Sequence, residues 1–495
     1  MIKNIKWLLL VSLTIVACSD DDVEVVNNTS DGLTLTAGTA DFSNYVSLGN
    51  SLTAGYSDSA LFIEGQKNSY PAILASQFSL VGGGDFAIPY MNDNVGGLLL
   101  GGTMIQGPRL YFDGAGPVSV PGMPSTEITN VQAGPFNNMG IPGAKSFHLL
   151  APGYGNVAGV PSGQANPYFV RFASSPSTTV LADATAQSPT FFSLWIGNND
   201  VLSYATSGGS GANQLGNYNP GSYGPDDITD PTVFANVYST LIDGLTANGA
   251  KGVVANIPYV TTIPYFTTVP HNPVPLDAAT AGLLNGGFAQ YNNGLLLAQS
   301  YGLITADEVA RRTISFSASA TNRLVMVDSY LTNLGGLGIP SYRHATSEDL
   351  VVLTARGIIG TVVNNNPTQI NGVSVPLADK WILSKDEIAE LRTATDAFNA
   401  AIQSIASSKG LAFVNANALL TQVANGGIAK DNVLVTSNYV TGGGFSLDGV
   451  HPSPRGYALI ADEFFKAINV TYGSNFKGVN IGKYRILYPA DSNNF

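Results

Sequence analysis

The sequence predicts an α/β fold built on a parallel sheet. In two places a helix with an apolar face is followed closely by a short apolar run. The helix predicted to begin at Pro231 leads to a strand at 252–258, and the helix predicted after Ser384 leads to a strand at 411–414. Helices that alternate with strands in this way are typical of parallel sheets. A similar apolar run at 45–48 predicts the first strand.

Capping signals mark where the predicted helices begin. A helix is expected at 68–78, where a proline suits the first turn. Asp230 fits the N-cap of the second helix, and Ser384 with Glu387 forms a capping box for the third. The final helix is expected at 454–468, where apolar side chains recur at helical spacing.

The composition bounds the classes of function. Hydrophobic residues make up 44% of the 495 positions, which is ample for a large core, either as one enlarged domain or as two or three average ones. Only 11% of the residues are charged, against about 25% in average proteins. This balance predicts long uncharged loops rather than charged disordered segments. The net charge of −12 without a Lys/Arg cluster argues against nucleic-acid binding, because phosphate contacts need concentrated positive charge.

The N-terminus is interpreted as an export signal. Lys3 and Lys6 precede an apolar run, 7–17, that is too short to span a bilayer. The run ends in Ile-Val-Ala-Cys, which resembles a bacterial lipobox with Cys18 as the lipidated first residue of the mature chain. Cys18 is the only cysteine, so an internal disulfide is excluded. Residues 19–22, Ser followed by three Asp, resemble the surface-export signal of Bacteroidetes lipoproteins. We therefore expect an exported lipoprotein of the outer membrane, and residues 19–22 favour its display at the cell surface. The alternative is an ordinary cleaved signal with an incidental cysteine.

Three reactive side chains stand near the two ends of the chain. Ser51 follows the predicted strand at 45–48, so its hydroxyl should lie at the carboxyl edge of the sheet, where open α/β sheets bind ligands. Asp448 and His451 stand three residues apart near the other end. A serine nucleophile needs a base, and the base needs an orienting carboxylate. The sequence supplies all three, although a polar residue after a strand or an Asp-x-x-His on a loop also commonly stabilises a turn.

Two further blocks complete a recognisable pattern. Asn-Met-Gly-Ile-Pro-Gly at 138–143 is a glycine turn, and Gly-Asn-Asn-Asp at 197–200 follows the apolar run 191–196. Together with the Ser51 block and the Asp-x-x-His block, in this order, they resemble the SGNH (GDSL-type) hydrolase family. One position departs from the family pattern, because Asn50 stands where the family usually has Asp. That Asp is not a triad member, so the change bears on local hydrogen bonding only.

The resemblance implies a fold, a domain plan and a set of site residues. The implied fold is a three-layer α/β/α arrangement with a central parallel sheet of the flavodoxin-like type, enlarged by long loop insertions. The implied roles are the nucleophile Ser51, the triad partners Asp448 and His451, and the oxyanion donors Ser51, Gly143 and Asn199. The expected plan is a signal peptide 1–17, a lipidated Cys and flexible tether 18–40, an SGNH hydrolase domain 41–470 with insertions at about 80–135 and 260–380, and a C-terminal tail 471–495. The second insertion could also form a small cap subdomain.

No motif indicates a cofactor or a metal. No Gly-x-Gly-x-x-Gly follows a predicted strand, and no His/Cys/Asp cluster has the spacing of metal ligands. Thr53 occupies the last position of a would-be Gly-x-Ser-x-Gly, which argues against the nucleophile elbow of α/β-hydrolases. His148 has no second ligand at suitable spacing, so we expect it to be structural.

Three functions stay open on the sequence alone. The first is a lipolytic esterase acting on acyl esters, the second is a carbohydrate esterase that removes acetyl groups from glycans, and the third is a non-catalytic surface binding module on a hydrolase scaffold. The full set of triad and oxyanion residues counts against the third. The apolar stretch 95–105 lies between Ser51 and Gly143 and slightly favours a lipid, since an acyl chain could pass along it. It could equally be buried core.

Overall fold

A five-stranded parallel sheet forms the centre of the computed structural model, which describes residues 32–491. Its strands are β1 (Tyr45–Gly49), β2 (Asn138–Gly140), β3 (Phe191–Trp195), β4 (Lys251–Ala255) and β5 (Ala412–Val414). They lie in the order β5-β4-β3-β1-β2, and every pair is parallel. The direction of chain progression therefore reverses between β1 and β3, which makes their carboxyl ends the switch point of the sheet, where ligands bind in such folds. The predicted α/β class with a parallel sheet is confirmed.

The first face of the sheet is covered by the helices Tyr70–Phe78 and Pro454–Tyr472. Side chains of β3 alternate between the two faces, and Phe191 and Trp195 enter this core. The two helices contact each other directly, with the ring of Tyr70 stacked on that of Phe464 at 4.6 Å between centroids.

The opposite face is covered by the helices Pro231–Thr246 and Lys385–Ser408. Phe192 and Leu194 of β3 point into this second core. The two helices meet through Phe234 and Phe398, whose rings stack at 4.2 Å. With helices packed on both faces, the molecule is compatible with a three-layer α/β/α fold.

The helix starts agree with the capping prediction. Asp230 accepts hydrogen bonds from the first-turn N–H groups of Thr232 and Val233. Ser384 and Glu387 form the predicted reciprocal capping box. Each of these caps satisfies backbone donors that a helix leaves unpaired at its N-terminus.

Further helices and short strand pairs lie in the connections. The other helices are Ser51–Ala54, Ile63–Lys67, Pro167–Val170, Val180–Thr185, Asn199–Thr206, Pro264–Thr267, Ala278–Ser300, Ala306–Arg312 and Ala416–Ala424. Antiparallel strand pairs are Leu98–Leu100 with Thr103–Gln106, Leu110–Phe112 with Pro117–Ser119, Val274–Leu276 with Ser319–Asn322, Val325–Val327 with Tyr342–His344, Leu350–Val351 with Ile382–Leu383, Val362–Val363 with Asn366–Ile370, and Ile428–Lys430 with Val433–Val435.

The segment 260–380 packs onto the sheet. Its buried residues Phe288 and Met326 belong to one continuous core with Val46 and Leu48 of β1. The segment also contains the 23-residue helix Ala278–Ser300, which the sequence analysis did not predict. Four glycines and three asparagines interrupt the apolar pattern of this helix, so the local signal for it is weak.

Both ends of the described chain lie against the domain. Thr39 donates its N–H to the carbonyl of Tyr472 at 2.8 Å, and the hydroxyl of Ser474 donates to Ala37 at 2.9 Å. Near the other end, the ring of Tyr488 meets that of Phe62 edge-on at 4.8 Å. The predicted signal peptide, lipobox and surface-export signal fall on residues before 32 and lie outside the described residues. Between residues 32 and 491, no helix combines the length and apolarity needed to cross a membrane.

Candidate active site

Ser51 stands at the carboxyl edge of the sheet because a one-turn helix begins directly after β1. Asn50 caps that helix by accepting the N–H of Leu52 at 3.0 Å. A side chain at Gly49 would collide with Thr53 and with the carbonyl of Trp195, so only glycine fits where β1 ends. As the first residue of the helix, Ser51 has a backbone N–H with no intrahelical acceptor.

The structure brings Ser51, His451 and Asp448 into one hydrogen-bonded chain. His451 Nε2 lies 2.9 Å from Ser51 Oγ, and His451 Nδ1 lies 2.9 Å from Asp448 Oδ2. The serine and the histidine are 400 positions apart in the chain. Their contact follows from the fold, because the loop that carries Asp448 and His451 precedes the helix Pro454–Tyr472, which packs on the first face of the sheet against β4, β5 and the helix Tyr70–Phe78. The arrangement is that of a nucleophile, a base and an orienting acid.

Asp448 is held as a carboxylate. Burial by itself would raise its pKa, but the imidazole of His451 and several hydrogen bonds lower the pKa to about 2. Oδ1 accepts the N–H groups of Val450 and His451, each at 2.8 Å, and the hydroxyl of Ser446 at 3.0 Å. Oδ2 accepts the N–H of Ser59 at 3.0 Å in addition to its contact with the imidazole. A carboxylate so fully hydrogen-bonded keeps its charge and its orientation.

The residues around Ser59 form a support that sequence reasoning missed. Asp58 is buried, donates its N–H to Ser446 Oγ at 3.0 Å and accepts the N–H of Leu447 at 2.8 Å. Burial, with the neighbouring charge of Asp448, raises the pKa of Asp58 to about 7. Asp58 and Ser59 both have positive φ, of 52° and 66°. This backbone conformation directs the N–H groups of both residues toward the loop that carries Asp448. In the sequence, Ser-Asp-Ser is an ordinary turn signal, so nothing local indicated this role.

The three predicted oxyanion donors lie at the same edge of the sheet. Asn199 and Ser51 border one cleft, and Asn199 Nδ2 donates one hydrogen to the carbonyl of Ala144 at 2.9 Å. Its second amide hydrogen remains available. Gly143 is exposed with φ of +81°, and its N–H has no acceptor within residues 32–491. These groups could stabilise negative charge on a carbonyl oxygen bound above Ser51.

Hydrogen bonds between the blocks fix their relative positions. Asn50 Nδ2 donates to Asn198 Oδ1 at 3.1 Å, which ties the serine turn to the Gly-Asn-Asn-Asp turn. Asp200 accepts the N–H and the hydroxyl of Ser146 at 2.8 and 2.7 Å, which ties that turn to the glycine turn. Asn198 and Ser146 were not singled out from the sequence, because their partners are distant in the chain.

Comparisons with family models, with curated proteins and with solved structures find no match. The function must therefore be inferred from the chemistry of the site itself, since a fold class does not determine an activity.

An apolar cleft opens beside the serine. It encloses about 830 Å³ of empty space, its solvent-open part included, and is bordered by Ser51, His451 and Asn199. Apolar side chains that line it include Leu202, Ile263, Leu420, Val423, Phe445 and Ile460. None of the residues that line the cleft comes from the 95–105 stretch.

The expected path of an acyl chain along 95–105 needs correction. Leu98 is fully buried and packs with Met91, Ile128 and Tyr168 in a separate small core. Leu98–Leu100 forms a strand of a hairpin and does not line the cleft beside Ser51. Leu98 thus serves the packing of the first insertion, whereas Met104 and Ile105 of the same stretch are exposed.

The remaining sequence candidates fall elsewhere. His148 Nδ1 accepts the N–H of Lys145 at 3.0 Å, and the imidazole stacks on Tyr154 at 4.6 Å, as the structural interpretation predicts. Within the described part of the chain, no group of three His, Cys, Asp or Glu side chains is arranged to hold a metal ion.

Proposed function

We propose that this chain is a serine esterase of the SGNH (GDSL-type) hydrolase family that cleaves carboxylic (acyl) esters. The proposal is carried by the unbroken chain from Ser51 Oγ through His451 to Asp448, with both contacts at 2.9 Å. It is further supported by the strand order, in which Ser51 and Asn199 follow the two strands at the switch point.

Acylation would use each of these groups once. Ser51 Oγ attacks the ester carbonyl carbon while His451 Nε2 takes the hydroxyl proton. Asp448 stabilises the imidazolium and keeps the proton on Nδ1. The tetrahedral intermediate then collapses, the bond to the alcohol oxygen breaks, and that oxygen receives the proton from Nε2. A water molecule repeats the sequence on the acyl-serine, which releases the carboxylic acid and restores Ser51.

The oxyanion would be stabilised by three donors from three parts of the chain. These are the backbone N–H groups of Ser51 and Gly143 and the side-chain amide of Asn199. Donors of this kind, aimed at the charge that develops on the oxygen, are worth about 3 kcal/mol of barrier each. The hydrogen bond from Asn199 to Ala144 keeps two of the donors in fixed relation.

The apolar cleft favours an acyl chain longer than acetyl. It begins at Ser51 and is lined mostly by aliphatic and aromatic side chains. Each methylene buried there contributes about 0.8 kcal/mol. A deacetylase of glycans, the alternative, would need only a small pocket at this position.

We also propose that the enzyme is an exported lipoprotein of the outer membrane. Lipid attached at Cys18 would provide the anchor, and residues 19–22 would favour the cell surface. Both signals rest on the sequence pattern alone.

The nucleophile is tested by Ser51→Ala. We expect the variant to fold like the wild type and to lose about 10⁴-fold or more of its activity on nitrophenyl esters, because the hydroxyl that forms the acyl-enzyme is gone. A fluorophosphonate should label the wild type at Ser51, as read by peptide mass spectrometry.

The matched control is Ser162→Ala, which removes an exposed hydroxyl at a position distant from Ser51 in the sequence. It should retain full activity and labelling. Residual activity above a few per cent in Ser51→Ala, with circular dichroism unchanged, would contradict the proposal and point to direct attack by water.

A further inference from the structure

A second cleft meets the first at His451. It encloses about 850 Å³, its open part included, and it shares His451 and Val450 with the apolar cleft. Ser51 and Asn199 border only the apolar cleft, whereas Asp448 borders only the second. The imidazole therefore borders two separate binding spaces with different lining residues.

The second cleft is lined by aromatic rings and hydroxyl groups together with aliphatic side chains such as Leu353, Leu447 and Val450. Its walls include Tyr56, Tyr265, Tyr439, Thr206 and Thr354. Tyr56 donates its hydroxyl to Ser59 and Tyr439 donates its hydroxyl to Leu447, each at 2.5 Å, so these side chains offer mainly their rings to a ligand. The hydroxyls of Tyr265 and Thr354 lie 3.2 Å apart at the exposed rim and can still donate to and accept from a third group.

Both long insertions contribute to this cleft. Leu110 and Pro117 come from the first insertion, and Tyr265 and Thr354 come from the second. The second insertion is fastened to the Asp448 loop, because Tyr265 donates its N–H to the carbonyl of Gly449 at 2.9 Å. The cleft wall is therefore held at a fixed distance from His451, which is what a substrate subsite requires.

The order of bond breaking decides which part of an ester each cleft can hold. The acyl group becomes bonded to Ser51 and stays there after the alcohol has left, so it belongs in the cleft that contains Ser51. The alcohol oxygen must take its proton from His451 Nε2, so the alcohol extends along the imidazole. The cleft that contains His451 but not Ser51 is on that path.

The chemistry of the lining indicates the type of alcohol. None of the residues that line the second cleft is Lys or Arg, and the one carboxylate, Asp448, already accepts four hydrogen bonds besides that from His451 Nδ1. Arg356 is close enough to lower the pKa of Tyr439, which burial raises, but is not part of the lining, so an anionic alcohol would find no counter-charge in direct contact within the cleft. Aromatic faces carry partial negative charge and attract the polarised C–H groups of a saturated ring, while hydroxyls suit other hydroxyls.

We infer that the second cleft binds the alcohol part of the substrate and that this alcohol is a neutral ring-shaped polyol, such as a sugar. Resting on the proposed esterase function, this makes the substrate an acylated sugar whose acyl chain, longer than acetyl, lies in the apolar cleft. In the step concerned, the carbon–oxygen bond of the tetrahedral intermediate breaks, the electron pair stays on the sugar oxygen, and that oxygen takes the proton from His451 Nε2. The products of acylation are the free sugar and the acyl-serine.

The inference is tested with octanoyl esters of three alcohols: methanol, methyl glucoside and methyl glucuronide. We expect kcat/KM for the glucoside ester to exceed kcat/KM for the methyl ester by about tenfold or more. For the anionic glucuronide ester, kcat/KM should fall below the value for the glucoside ester. Thr354→Trp fills the exposed rim of the cleft and should lower kcat/KM for the glucoside ester about tenfold, with the methyl ester unchanged within about twofold.

Deacylation supplies a second readout. The alcohol has left the acyl-enzyme, so Thr354→Trp should leave the rate of octanoyl-serine hydrolysis, measured after a burst with nitrophenyl octanoate, unchanged. Thr393→Trp, on the exposed side of the helix Lys385–Ser408, is the matched control and should change none of these rates.

Equal kcat/KM for all three alcohols, or a preference for the glucuronide, would overturn the inference. So would equal losses on the methyl and glucoside esters in Thr354→Trp. In those outcomes the wild type still hydrolyses esters and is labelled at Ser51. Absence of both hydrolysis and labelling would instead reject the esterase proposal, and the inference with it.

Discussion

At the scale of single residues, Asn50 joins two turns of the candidate site. Its Oδ1 accepts the N–H of Leu52, and its Nδ2 donates to Asn198 at 3.1 Å. An aspartate could accept from Leu52 but could not donate, so it would require the Asn198 amide to be reversed. The side chain is fully buried, where such a hydrogen bond counts most. Asn50 thus links the serine turn directly to the Gly-Asn-Asn-Asp turn, with Asn50 as the donor.

Asp58 is the residue for which the structure predicts a clear pH effect. Its pKa of about 7 lies above the ordinary value of 3.8, so the native state holds a proton that the unfolded chain releases between these values. The stabilisation from this group is complete below pH 3.8 and is lost as the pH rises through 7. The difference between the two pKa values corresponds to about 4 kcal/mol at most.

Asp58→Asn should remove this pH dependence. The amide oxygen can still accept the N–H of Leu447 without carrying a charge. We expect the free energy of unfolding, measured in urea, to exceed that of the wild type at pH 8 by up to about 4 kcal/mol and to match it near pH 4. Asp85→Asn, at an exposed position, is the control and should follow the wild type throughout. A constant difference at all pH values would show that Asp58 is ionised in the native state across this range.

At the scale of elements, the apolar cleft is built by segments that carry no motif. The helix Ala416–Ala424 contributes Leu419, Leu420 and Val423, and the strand Val433–Val435 contributes Val435. Neither element was predicted. The helix is short and follows β5 directly, so it lies at the carboxyl edge of the sheet next to the serine.

Leu420→Ser should weaken the dependence of activity on acyl chain length. In the wild type, two added methylenes buried in the cleft should raise kcat/KM about tenfold until the space is filled. The variant should keep its acetate activity and lose most of that increase on nitrophenyl butanoate, hexanoate and octanoate. Leu99→Ser makes the same chemical change outside the cleft and should keep the wild-type profile. A wild-type profile that peaks at acetate would instead favour the glycan deacetylase.

At the scale of the whole molecule, the N-terminal segment and the candidate site lie at opposite edges of the sheet. His451 comes just before the helix Pro454–Tyr472, while Thr39 contacts Tyr472 at its far end. A helix of 19 residues is about 28 Å long. A lipid anchor that precedes residue 32 would therefore join the domain away from the clefts, which stay accessible.

Cys18→Ala should separate anchoring from catalysis. We expect the variant to move from the membrane fraction to the soluble exported fraction, because a lipid on Cys18 is the proposed anchor. Its kcat/KM on a soluble nitrophenyl ester should equal that of the purified wild type within about twofold, since the domain attaches at the opposite edge. Membrane association that persists in the variant and requires detergent would contradict lipidation at Cys18 as the anchor.

The sequence by itself determined the parts of this protein that short-range chemistry specifies. Caps such as Asp230 and Ser384 act within one helical turn. Apolar runs such as 191–196 indicate buried strands whichever elements pack against them. The Asp-x-x-His spacing likewise allows Asp448 to reach one nitrogen of His451 within a single turn. These features predicted the α/β class, the four helices that cover the sheet and the pairing of Asp448 with His451, but not the 23-residue helix Ala278–Ser300.

Only the tertiary structure decided how distant segments meet. Ser59 contacts Asp448 across 389 positions, and the turn that allows it looks like any other in the sequence. Leu98 and Leu420 are equally apolar, yet Leu98 packs into a small core with Met91 and Ile128, whereas Leu420 lines the cleft, because the tertiary fold brings different partners to each. The burial of apolar side chains is driven by a non-directional force. The sequence therefore determines that these side chains are buried, whereas the packed fold determines which partners they contact.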